Sequence, residues 1–139
     1  MRKLTIAPRL GKASLGLIEK IITEKLSDDF SEFLIQNAGL SHLEYIFIDK
    51  NLTRWDVSQY NNFKDLHGLT QEFLNEYHRK LIPFAYDGGG WHFCLSFDAD
   101  TYGKIIINRW TDHLPEEQFL VIADSFEEFI NGLKAEENI

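Results

Sequence analysis

The sequence predicts an α+β fold: a single domain with a mainly antiparallel, twisted sheet and helices packed on one face. Three observations lead there. Apolar residues recur at helical spacing near the amino terminus, switch to strict alternation in residues 91–97, and return to helical spacing after Asp124. The strands that follow residue 80 come in succession, joined by short turn-forming stretches, which describes a meander and not a series of β-α-β crossovers. The chain has 139 residues, 44% hydrophobic and 14% aromatic, with no repeat, low-complexity tract or Pro/Gly/Ser linker. That is enough for one core burying roughly two thirds of the unfolded surface.

The elements can be justified in order. "SLGLIEKIITEKL", residues 14–26, carries Leu15, Ile18 and Ile22 at helical spacing, with Ser14 placed to cap it. "SDDFSEFLIQNAG" starts from Ser27 as N-cap, puts Asp28 and Asp29 at the positive end of the helix dipole, aligns Phe30, Phe33 and Leu34, and ends at Gly39. "LEYIFI", residues 43–48, is a strand. From there to Gly68 turn formers mix with isolated aromatics, and no periodicity stands out. "LTQEFLNEYHRKL", residues 69–81, is a helix capped by Thr70 that ends before Pro83. In "WHFCLSFD" Trp91, Phe93, Leu95 and Phe97 share one face, and His92, Cys94, Ser96 and Asp98 the other. "KIIINRW" and "EQFLVIA" are further strands. "DSFEEFINGLK" closes the chain as a helix, with a capping box formed by Ser125 and Glu128. Residues 1–14 form a basic leading segment, and residues 15–139 the domain.

Three stretches invite a chemical reading. "YDGGGW" has three consecutive glycines, but they lead into a strand instead of a helix and lack phosphate-loop spacing, so a hairpin connection with positive φ is expected. "DADTYGK" places Asp98, Asp100 and Gly103 at the first, third and sixth positions of a calcium loop. Tyr102 and Arg109 stand where the fifth and twelfth ligands belong, so this is expected to be a hairpin loop too. His92 and Cys94 share a strand face and are the only nucleophile-and-base pairing suggested; a thiol or hydrolytic enzyme built on them is the least favoured reading, because a strand cysteine is usually a small buried hydrophobe. No cofactor motif and no zinc spacing is found, and the single cysteine suits a reducing, cytoplasmic setting. The longest apolar runs are about a third of what a membrane-spanning helix requires.

Charge is the most informative bulk property. Residues 1–26 hold six Lys/Arg and two Glu, net +4; the remainder holds eight Lys/Arg and twenty Asp/Glu, net −12. No basic track for nucleic acid exists after residue 26. An acidic body attracts basic partners and speeds their encounter.

The blocks "LSDDFSEFLIQNAG", "LIPFAYDGGGWHFCLSFD" and "VIADSFEEFINGL" together resemble the SUKH superfamily, which includes the yeast cell-wall-assembly regulator and many bacterial immunity proteins. The resemblance spans about residues 15–133. Ala38 departs from the usual glycine and Ser27 from the usual proline. It implies an α+β sheet and a binding role, not a catalytic one. Bacterial members of the superfamily sit beside toxin genes, often for nucleases, which makes an immunity protein that neutralises a basic toxin domain the leading expectation and a regulatory scaffold of the cell-wall type the alternative. The residues expected to meet the partner are the loop and strand-end acids Asp98, Asp100, Asp112, Glu116 and Glu117, with Tyr102 and Trp110 as aromatic anchors.

Overall fold

Helix α1 (Lys12–Ile22) begins the fold in a computed structural model that describes residues 10–110 and 113–139; residues 1–9 of the basic leading segment and the candidate Asp112 lie outside them. Gly11 is the N-cap and makes no side-chain cap bond, so Ser14 lies inside the helix and does not start it. The helix ends at Thr23, left-handed at φ 57°, and Glu19 Oε2 accepts from the Leu26 amide at 2.7 Å to fold the chain into the next element. Helix α2 (Asp28–Asn37) starts where the sequence places it, with Ser27 Oγ accepting from the Phe30 amide at 3.2 Å, and Gly39 takes the left-handed conformation just past its end.

The stretch without periodicity resolves into two short strands and the first half of a helix. β1 (Glu44–Ile48) pairs with β2 (Arg54–Asp56), and β3 (Gln59–Tyr60) is followed by α3 (Phe63–Tyr77). The N-cap of α3 is Asn62, whose Oδ1 accepts from the Asp65 amide at 2.9 Å. Thr70 is therefore mid-helix and buried, its hydroxyl donating to the Leu66 carbonyl at 2.6 Å. The helix stops at His78, left-handed at φ 55°, before the proline is reached.

Pro83 sits in β4 (Leu81–Tyr86), which pairs with β5 (His92–Ser96), and the pairing shifts register between Pro83 and Ala85. That irregularity accommodates a residue with no amide to donate. β6 (Ile105–Asn108) and β7 (Phe119–Ala123) complete an antiparallel five-stranded sheet, β3-β4-β5-β6-β7. α4 (Phe126–Asn131) follows with its expected capping: Ser125 Oγ accepts from the Glu128 amide, and Glu128 Oε2 reaches back to the Asp124 amide, both at 3.0 Å. The chain then returns as β8 (Lys134–Ala135) to pair with β1, giving a second sheet, β2-β1-β8.

The α+β class and the antiparallel sheet are as expected; helical coverage extends further than the sequence suggested. Phe93, Leu95 and Phe97 pack with Ile82, Phe84, Ile105 and Ile107 in the main core, which the buried residues of α1, α2 and α4 complete. On the opposite face Cys94, Leu81 and Ile106 are covered by Phe73 of α3. Both faces of β5 are thus buried.

Phe129 of α4 joins the two sheets. It is fully buried and contacts Phe47 of β1 at 4.7 Å between ring centroids, Phe93 of β5 at 5.5 Å and Phe84 of β4 at 5.7 Å. Gly132 faces the same contact, and a Cβ there would stand 3.0 Å from the Phe47 ring and 3.1 Å from the Glu128 carbonyl. Its φ of −85° is ordinary, so the requirement for glycine is steric. Phe129→Ala should cost about 3–5 kcal/mol of unfolding free energy, and Gly132→Ala about 1–3 kcal/mol by overpacking. Urea unfolding checks both; a neutral Gly132→Ala would show that Phe47 moves freely.

Candidate functional site

The glycine stretch is the β4–β5 turn, and its geometry explains its composition. Asp87 Oδ1 accepts from the Gly89 amide at 2.9 Å and the Trp91 amide at 2.8 Å. The Asp87 amide donates to the Trp91 carbonyl at 2.8 Å, and Gly90 turns the chain at φ 89°. Only Gly90 of the three needs the left-handed region. Two of the amides that a phosphate loop would present to an anion are met by the turn's own carboxylate.

The loop with calcium-like spacing is likewise tied down from within. Asp98 receives the Arg79 Nε at 2.5 Å on one oxygen and the Lys80 amide at 2.9 Å on the other. Arg79 also lies over the Phe119 ring, 4.8 Å from its centroid. Asp98 therefore pins the entry of β4 to the end of β5. Asp100 and Tyr102 are exposed at the tip, with Tyr102 edge-on to Phe97 at 5.6 Å.

The remaining candidates lie at the other end of β6. Glu116 and Glu117 are exposed in a 3-10 turn (Pro115–Glu117). Trp110, at φ 52°, is part of the packing: its ring sits 5.6 Å from Phe73 and 6.0 Å from His92, and its Nε1 donates to the Gly90 carbonyl at 2.9 Å. Asp100 and Tyr102 are separated from Glu116 and Glu117 by the length of a strand, so the acids named from the sequence form two groups and not one face. Arg54, Asp56 and Glu136 escaped the sequence reading. Arg54 holds Asp56 at 2.7 Å and Glu136 at 2.8 Å, and Tyr45 donates to Glu136 at 2.8 Å. Their one sequence signal was the alternation of "RWD", in which Trp55 turns inward.

Cys94 is fully buried, its thiol directed at the His92 backbone carbonyl at 3.7 Å, and burial raises its pKa far above the ordinary thiol value. His92 lies 3.2 Å from Asn61 Nδ2, and burial lowers its pKa. The folded chain consequently resists a proton that the unfolded chain takes up near pH 6.5. Stability contributed by neutral His92 is complete above that pH and is lost as the pH falls toward the lower folded value. The fall in Tm from about pH 7 to about pH 5 should be steeper for the wild type than for His92→Gln; parallel curves would show that His92 is not the group responsible.

Comparison with known proteins follows the same outline. The family model SUKH_6, SMI1-KNR4 cell-wall, matches residues 12–130, from the first residue of α1 to one residue short of the end of α4. The chain is also similar to the SPbeta prophage-derived uncharacterized protein YokK of Bacillus subtilis (strain 168), with 33% identity over 84% of this chain and 70% of that protein. The order of helices, the hairpin after "LIPFAYDGGG" and the capped final helix all lie within the matched span, and the chain belongs to the SMI1-KNR4 family of the SUKH superfamily.

Proposed function

We propose that this chain is a non-catalytic immunity protein of the cytoplasm that binds a basic toxin domain, of nuclease type, and blocks its action. The observation that carries the reading is where the acidity goes. Among the described residues, ion pairs take up only Asp56, Asp98, Asp124 and Glu136, while Asp28, Asp29, Glu72, Asp100, Glu116 and Glu127 are exposed and in no ion pair. The charge of these six is directed to solvent and is not consumed in holding the fold together. Such a surface competes with phosphate for the cationic side chains of a nuclease cleft and accelerates the encounter.

Other features support the binding role. β4, β5 and β6 are buried on both faces, the one thiol is buried and protonated, and no helix among the described residues is long and apolar enough to cross a membrane. The family's cell-wall description favours a second reading, a regulatory scaffold with several endogenous partners.

A tagged pull-down from the source cell, followed by titration of any small basic protein recovered, separates the two. Immunity predicts one-to-one binding in the nanomolar range, with an association rate that falls at least about tenfold between low and high salt. Several weak partners, or binding indifferent to salt, would overturn it in favour of the scaffold.

A further inference from the structure

The β4–β5 turn stands against β2, and between them lies a shallow cleft of about 350 Å³ lined by Arg54, Trp55, Asp56, Asp87, Gly88 and Trp91. Two indoles form its wall, with centroids 6.4 Å apart and planes inclined at 46°. Trp55 is buried and fixed by donation from its Nε1 to Asp49 Oδ2 at 2.9 Å. Trp91 is half-buried and backed by the His113 ring at 5.5 Å. The aromatic wall is therefore built before any partner arrives.

The charges at the rim are unbalanced. Arg54 is shared between two carboxylates, Asp56 on its Nε edge and Glu136 on its terminal nitrogens, so its positive charge is met twice. A guanidinium compensated in this way is a poor anion seat. Asp87 adds a third carboxylate. Its Oδ1 holds the turn amides, and no described residue engages its Oδ2. Asp56 and Asp87 outnumber Arg54 among the lining residues, and Glu136 also meets the Arg54 charge, which leaves the cleft negative beside an indole face. A planar, weakly hydrated guanidinium suits that combination better than a compact ammonium, because it stacks on an aromatic ring while donating to a carboxylate.

We propose that this cleft seats an arginine side chain of the protein partner, the guanidinium lying over Trp91 and pairing with Asp87; the proposal rests on the reading of the chain as a binder of a basic protein. The three glycines then have a second use besides turning the chain. Without side chains, Gly88 and its neighbours leave the approach to Asp87 open.

The test is an NMR titration of the full chain with acetyl-Gly-Arg-Gly-amide, alongside the Lys and Glu peptides. The arginine peptide should produce saturable shifts at the Gly88 and Gly89 amides and the Trp91 indole, the lysine peptide should bind at least about threefold more weakly, and the glutamate peptide should leave these signals in place. Asp87→Asn keeps an oxygen to accept from Gly89 and Trp91 and so preserves the turn; it should weaken the arginine peptide at least about fivefold. Lack of a response at Trp91, equal binding of the glutamate peptide, tighter binding of the lysine peptide, or an Asp87→Asn variant that binds like the wild type would each overturn the assignment. The peptide reports on the cleft without the partner. A silent cleft in a chain that still binds its basic partner removes only this assignment, whereas a responsive cleft in a chain with no basic partner removes only the proposed function.

Discussion

The two sheets of this domain have no strand in common, and the ring of Phe129 packs against both in the core. On one side it packs against Phe47 of β1, on the other against Phe84 and Phe93 of the five-stranded sheet. Much else depends on that contact. A methyl group at Gly132 would press on Phe47 and on the Glu128 carbonyl, and the chain past Gly132 returns as β8 to complete the smaller sheet. The smaller sheet carries Arg54, Trp55 and Asp56 to the edge of the β4–β5 turn. That core contact, the two-residue link from β2 to β3 and the Trp55–Trp91 contact together set which surface groups stand next to each other.

The parts of the fold that could be read in the sequence are those with a local cause. The capping box of α4 and the Ser27 cap of α2 are encoded within four residues, and the strict alternation of β5 is visible in "WHFCLSF". The parts that escaped are made by tertiary contact. β2, β3 and β8 are three, two and two residues long and exist only through their pairing partners. α3 begins six residues before the expected helix because Asn62 caps it from within a run of turn formers. Cys94 and Ser96 alternate as an outward face should, yet both are buried, Cys94 against Phe73 of α3 and Ser96 with its hydroxyl on that of Thr101.

The candidate site was less legible, for a related reason. Asp98 looks like a solvent-facing loop acid, but its partner Arg79 is nineteen residues away in the chain, a separation no spacing rule anticipates. Trp110 looks like a strand-end anchor and instead closes the packing over Phe73 and His92. Asp100, Tyr102, Glu116 and Glu117 do face solvent, at opposite ends of β6. Net charge could be counted from the sequence, but its distribution over the surface depends on which acids the fold engages internally.

β4, β5 and β6 are buried on both faces and so is the single thiol, which leaves the rim loops and the unpaired surface carboxylates to meet a partner. Neutralisation of a partner is tested by the growth of cells that produce the recovered basic partner with or without this chain. For an immunity protein, growth should be arrested with the partner alone and restored by the wild-type chain and equally by Cys94→Ala. A chain that binds the partner while leaving growth arrested, or that protects only when Cys94 is present, would contradict the proposed function.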